Sequence, residues 1–288
     1  MSQKGLVIKE KIVSESPRDH LIRKERFPHI WCPGCGLGTV LKCYVEAIAA
    51  SSIPEDKHVV ISGIGCTGRI AGYVRLDSYH VTHGRPIAFA EGMKIVRPDL
   101  EVTVISGDGD LVTIGGNHFI HAIRRNVDIN VFLVNNFIYG MTGNQMGSTT
   151  PLGAKSSTSP YGCPEPPFNL PLLAAALGAP FVARWTTLHT RQLAEAMKKA
   201  FQVKGFALIE IISPCPVGFG SYNELREGKD YIKLFLENCI VDHSADLNKA
   251  AISLRPGEPI ILGNFIQREM PSYHDFELEV FKKAGWLK

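Results

Sequence analysis

Short apolar runs alternate along this chain with stretches whose apolar residues recur every three or four positions. Val102-Thr103-Val104-Ile105 and Ile129-Asn130-Val131-Phe132-Leu133-Val134 are β-rich runs that end abruptly in Gly-Asp and Asn-Asn. Residues 58–62, 181–185 and 206–212 repeat the pattern, so five strands are expected. Between them lie helical spacings: Val40, Leu41, Tyr44, Val45 and Ile48 within residues 39–50; a helix over 86–96 opened by Pro86 and stopped by Pro98; another over 116–125 that carries His118 and His121; an alanine-rich one over 169–177; and Leu193, Met197 and Phe201 at every fourth place within 187–203. Strand and helix in alternation predict an α/β fold, a doubly wound and mostly parallel sheet covered on both faces. Residues 1–30 read as a polar arm, 31–235 as the domain, and 236–288 as a C-terminal extension packing on the domain or on a partner chain.

Polar residues at the strand ends bring in chemistry. Gly107-Asp108-Gly109-Asp110 closes one strand and Asn135-Asn136 the next. If the two strands are parallel neighbours, Asp108 and Asn136 meet at one rim, where open α/β sheets bind ligands. Two hard oxygen donors suit Mg²⁺, which keeps waters and the phosphates of its ligand. The spacing of GDG, then residues 110–134, then NN resembles the thiamine diphosphate fingerprint. That resemblance implies Mg²⁺ held by Asp108, Asn136 and the carbonyl of Ile138.

A net charge of +3, with no basic run interleaved with aromatics, gives no case for nucleic acid. No apolar stretch is long enough to span a membrane and the N-terminus has no signal-peptide core, so a cytoplasmic protein is expected. Seven cysteines then argue against a disulfide framework. Four of them, Cys32, Cys35, Cys66 and Cys215, lie in turns or at strand ends, whereas Cys43 falls in a helix, Cys163 in a loop and Cys239 in the tail. Four thiolates suit a structural zinc or a [4Fe–4S] cluster. Beside a thiamine cofactor only the cluster has a use, as an acceptor of single electrons.

Taken in order, WCPGCG, IGCTGR, HGR, GDGDLVTIGGNHFIHAIRRN, NNFIYGMTGNQ and SPC resemble the β chain of the 2-oxoacid:ferredoxin oxidoreductases from Trp31 to about Tyr222. The resemblance implies a thiamine diphosphate-binding fold with Mg²⁺ and one [4Fe–4S] cluster on Cys32, Cys35, Cys66 and Cys215. The cofactor would be cradled by Ile64, Gly65, Cys66, Thr67, His83, Gly84, Arg85, Gly109, Asp110, Gly140 and Met141. It further implies an α subunit supplying the glutamate that protonates the aminopyrimidine, an (αβ)₂ assembly, ferredoxin as electron partner and coenzyme A as co-substrate. The reaction would be oxidative decarboxylation of a 2-oxoacid to its acyl-CoA, or the reverse. Arg69 and His83 are the expected catalytic residues. A guanidinium at 69 matches a second substrate carboxylate, which favours 2-oxoglutarate over pyruvate. Asn144 departs from the family's more frequent Gly, which bears on the shape of its loop. Other readings are a pyruvate or broad 2-oxoacid enzyme of this family, a non-redox thiamine diphosphate decarboxylase, and a zinc-bound scaffold.

Overall fold

A computed structural model of the chain describes residues 16–255 and 257–287; half of the expected arm, residues 1–15, lies outside them. Eight strands among the described residues form a single sheet. They are β1 (His58–Ser62), β2 (Asp77–His80), β3 (Glu101–Gly107), β4 (Asn130–Asn135), β5 (Phe181–Thr186), β6 (Ala207–Ile212), β7 (Cys239–Val241) and β8 (Ile260–Gln267), in spatial order β2-β1-β3-β4-β6-β5-β8-β7. β1 to β6 run parallel, and β8 meets β5 antiparallel. β3 and β4 are neighbours in register from Thr103 opposite Asn130 to Gly107 opposite Val134. Asp108 and Asn136 therefore leave the sheet side by side, one residue beyond their strands.

Alternation along the central strands builds two apolar layers. Val102, Val104, Val131, Leu133 and Leu208 face one side, against α2 (Pro86–Val96), α3 (Gly116–Arg125) and α4 (Leu170–Ala176). Ile105, Phe132, Val134 and Ile209 face the other, against α1 (Leu37–Ala49) and α5 (Thr190–Ala200). Each central strand is buried on both faces, which is why it reads as a continuous apolar run. Leu193, Met197 and Phe201 all point inward, as their spacing predicts. α3 ends on Asn126 at φ 53°, a left-handed position that asparagine tolerates. Among the described residues, no helix is long and apolar enough to cross a membrane.

Three regions differ from the sequence reading. β2, of sequence DSYH, is exposed at every residue and has no apolar alternation to betray it. The described part of the arm packs down: Leu21 is buried, Ile22 bridges Val74, and Arg23 Nε donates to the Val74 carbonyl at 2.9 Å. After α6 (Gly228–Asn238), the tail inserts β8 beside β5 within the main sheet and then forms α7 (Tyr273–Lys283).

Candidate active site

The turns after β1, β3 and β4 enclose a cavity of about 80 Å³ lined by Ile64, Gly65, Cys66, Thr67, His83, residues 107–110, Asn136 and residues 138–142. It opens between β1 and β3, where the strand order reverses, at the carboxyl ends of the strands. Asp108 is buried, with one hydroxyl contact: Thr149 Oγ1 donates to Oδ2 at 2.5 Å. Burial raises its carboxyl to about 6, against the lowering effect of that hydroxyl. Asn136 Oδ1 accepts the Ile138 N–H at 3.3 Å, and the Ile138 carbonyl accepts the Gly140 N–H at 3.0 Å, leaving each oxygen one lone pair. A buried carboxylate with no ion pair among the described residues, beside an amide and a carbonyl at the mouth of a small cavity, is a donor set that fits Mg²⁺ and the anionic end of a cofactor. Among the described residues no three His, Cys, Asp or Glu side chains gather about one point. The expected Mg²⁺ set contains one such side chain.

Asp110 joins the cavity lining and also ties the surrounding turns together. Its oxygens are taken by protein: Oδ1 lies 2.5 Å from His83 Nδ1 and accepts the N–H groups of Gly84 at 2.7 Å and Ile64 at 3.3 Å, while Oδ2 accepts Ser106 Oγ at 2.8 Å. Its carboxylate ties three turns together and fixes the tautomer of His83, whose Nε2 is left for the cavity. Gly63 makes room for it, since a Cβ there would lie 2.0 Å from Oδ2. Gly109 likewise lets the Tyr139 ring approach: a Cβ would sit 2.3 Å from it. The Tyr139 hydroxyl donates to the Gly109 carbonyl.

Residues 140–167, without helix or strand, have two parts. Gly140 to Thr142 line the cavity; the chain then turns at Asn144, whose φ of 66° is the left-handed conformation that glycine would supply there. It passes back beneath the rim to bring Thr149 to Asp108, and Thr150 Oγ1 donates to the Phe137 carbonyl at 2.6 Å. No local signal marks these threonines, because their partners are far along the chain.

The four singled-out thiols lie near enough for Cys32, Cys66 and Cys215 to act on the charge of Cys35, but they do not gather as a metal-holding group. Cys32 and Cys35 are joined by a turn in which the Cys35 N–H donates to the Cys32 carbonyl, and the Gly36 N–H reaches the Pro214 carbonyl. Trp31 Nε1 donates to the Cys66 carbonyl at 2.9 Å. Burial pushes the Cys35 thiol up to about 12, opposed by the Leu37 N–H and reinforced by Cys215, Cys66 and Cys32. Burial also raises Cys66 and Cys215, the latter further raised by Asp108. Cys66 lines the cavity, and Cys215 Sγ is 3.6 Å from where a Cβ on Gly140 would stand. Cys43 and Cys163 are buried elsewhere, on the carbonyls of Thr190 and Glu165. Cys239 opens β7.

Gly84, Arg85 and Arg69 are not among the cavity-lining residues. Gly84 serves Asp110, and Arg85 is exposed with Nη1 on the Gly84 carbonyl. Arg69, exposed, opens on a separate hollow of about 300 Å³ with Arg26, Ile30, Gly68, Gly72, Tyr73 and His80; its N–H donates to the Cys66 carbonyl at 3.3 Å, and its guanidinium takes no hydrogen bond or ion pair among the described residues. His118 and His121 stand away from the cavity. A larger trough of about 1110 Å³ lies at the amino ends of β5 and β6; its Lys204 and Asp275 pair with each other at 2.6 Å.

Comparison with known proteins agrees with this geometry. Residues 63–211 match the thiamine pyrophosphate enzyme, C-terminal TPP binding domain. The chain is 48% identical to the 2-oxoglutarate synthase subunit KorB of Methanocaldococcus jannaschii over 88% of this chain and 92% of that one. It is 38% identical to the 2-oxoacid:ferredoxin oxidoreductase subunit beta of a Sulfolobus species, over 85% and 84% of the two chains. Among solved structures, it superposes with a TM-score of 0.81 and 33% identity on the 2-oxoglutarate:ferredoxin oxidoreductase from Magnetococcus marinus with 2-oxoglutarate, coenzyme A and succinyl-CoA bound, covering 96% of this chain and 93% of that one. A cavity built from the turns of the matched domain, and close relatives along nearly the whole length, place the chain in the thiamine pyrophosphate enzyme family, among the KorB subunits of the 2-oxoglutarate synthases.

Proposed function

We propose that this chain is the β subunit of a cytoplasmic 2-oxoglutarate:ferredoxin oxidoreductase, interconverting 2-oxoglutarate and coenzyme A with succinyl-CoA and CO₂. In this reading Asp108, Asn136 and the Ile138 carbonyl hold Mg²⁺ on the diphosphate of thiamine diphosphate. Cys32, Cys35, Cys66 and Cys215 hold a [4Fe–4S] cluster that passes electrons to ferredoxin. The observation that carries it is that one of the four cysteines opens on the same cavity as the acid turn: Cys66 lines it with Asp108 and Asn136. Beside a thiamine cofactor a cluster has a use as an acceptor of single electrons, which a structural zinc lacks. Thiamine diphosphate supplies a site that stabilises negative charge on the former carbonyl carbon, and the cluster supplies one-electron acceptance.

The chain's own residues do the rest. Asp108 and Asn136 fix the anionic end of the cofactor. Tyr139, Met141 and Thr142 wall the cavity, and Asp110 holds His83 with Nε2 toward it, ready to carry a proton. No glutamate lines the cavity among the described residues, which suits an α subunit that completes it in an (αβ)₂ assembly. Arg69, three residues after the cavity-lining Cys66 and with no ion pair among the described residues, offers a guanidinium suited to the second carboxylate of 2-oxoglutarate.

Anaerobic purification of the complex, followed by iron and zinc analysis, EPR after reduction and calorimetric titration with thiamine diphosphate and Mg²⁺, tests the proposal. Iron near four per chain, a reducible S = 1/2 signal and saturable cofactor binding are expected. Zinc in place of iron would favour the scaffold, and cofactor binding without either metal would favour a non-redox decarboxylase.

A further inference from the structure

Asn135 and Asn136 end β4 together yet serve opposite sides of the rim. Asn136 lines the cavity, whereas Asn135 is 1% exposed and directed into the sheet. Asn135 Nδ2 donates to Glu210 Oε1 at 2.7 Å, and Asn135 Oδ1 accepts the Phe137 N–H at 3.1 Å. The other oxygen of Glu210 accepts Arg184 Nε at 2.7 Å, and Arg184 Nη1 donates to the Ala250 carbonyl at 2.7 Å. Arg184 and Glu210 are both fully buried, and Arg184 Nη2 has no partner.

Burying such a pair costs desolvation that an apolar pair of similar volume avoids, so its presence is poorly explained by stability. Its position explains it better. Phe137 holds φ at 68°, a conformation that bulky residues rarely adopt. Asn135 Oδ1 fastens the N–H of that residue, and the next backbone unit carries the Ile138 carbonyl. Which way the carbonyl and the Asn136 amide point depends on this twist.

We propose that Asn135, Glu210 and Arg184 are positioning residues that set the aim of Asn136 and of the Ile138 carbonyl at the divalent cation, and that Ala250 ties this aim to the C-terminal region. The inference rests on the Mg²⁺–thiamine diphosphate reading above. Outer partners that orient metal ligands typically carry about 10- to 100-fold in affinity.

The test uses the assembled complex, freed of cofactor, titrated with thiamine diphosphate at fixed Mn²⁺, with the Mn²⁺ EPR spectrum and the unfolding midpoint of the cofactor-free protein read alongside. Asn135→Ala should weaken binding about tenfold or more and change the Mn²⁺ spectrum. Asn135→Asp, which keeps an acceptor for the Phe137 N–H and can share a proton with Glu210, should restore affinity to within about threefold. Should Asn135→Ala fail to assemble, Arg184→Lys decides: it keeps the buried charge but loses the fork, and should weaken binding several-fold. A lowered unfolding midpoint with affinity and spectrum unchanged would overturn the inference and leave the functional reading standing. Failure of the wild-type complex to bind the cofactor would bring down that reading itself, and the inference with it.

Discussion

Asp108 carries a penalty that a cation would remove. Its carboxyl is raised from 3.8 to about 6 by burial, so in cofactor-free protein the penalty is absent below pH ~4, grows between the two values and is complete above about 6. At roughly 1.4 kcal/mol per unit this is on the order of 3 kcal/mol. Asp108→Asn should therefore stabilise the cofactor-free complex by about 1–3 kcal/mol at pH 7.5 and by nothing measurable at pH 4, while abolishing binding of thiamine diphosphate with Mg²⁺. Denaturant unfolding at the two pH values and calorimetry check it; equal stability at pH 7.5 with intact binding would contradict both halves. Arg69 supports a second expectation at this scale. A charged hydrogen bond lost to Arg69→Met should raise KM for 2-oxoglutarate by about tenfold or more and leave that for 2-oxobutyrate nearly unchanged, as steady-state kinetics would read. Equal effects on the two would assign Arg69 to another role. That Asp108 and Asn136 meet at one cavity was legible in the sequence, because each directly follows an apolar run that reads as a strand. The task of Asp110 was not, because its partners at Ile64, His83 and Gly84 lie on other turns and nothing local links them.

At the scale of elements, the strand ends separate the cysteines by place. Cys215 follows β6 and Cys66 follows β1, both at the rim, while Cys163 is buried on the Glu165 carbonyl and Cys239 begins β7. Cys215→Ser should thus cost the complex its visible cluster absorbance and electron transfer to ferredoxin, and Cys163→Ser and Cys239→Ser should retain both. The opposite pattern, with Cys215→Ser silent, would refute the ligand set. The interior strands and their helices were readable because each is buried on both faces or amphipathic on one. β2 was not readable: as an exposed edge strand, its four residues owe their conformation to pairing with Val59 to Ser62 and not to any pattern of their own. Of the Gly-, Ser-, Thr- and Pro-rich residues 140–167, only 140–142 line the cavity, while Thr149 and Thr150 brace the rim from below.

For the whole molecule, the parallel run of β1 to β6 and the reversal between β1 and β3 place the rim residues at one end of the sheet. Sequence could not place the tail, because an apolar octapeptide such as Ile260 to Gln267 fits any open edge equally well. Its docking beside β5 has a consequence for synthesis. β5 and β6 leave the ribosome well before β8, so for an interval the nascent sheet presents a bare β5 edge, and Arg184 lacks the Ala250 carbonyl that will receive it. Bare edges recruit other strands. The nascent protein should accordingly engage a chaperone or its partner subunit until β8 arrives, and a chain ended at residue 255 should accumulate as aggregate, measurable as loss of soluble protein even when the partner subunit is co-expressed.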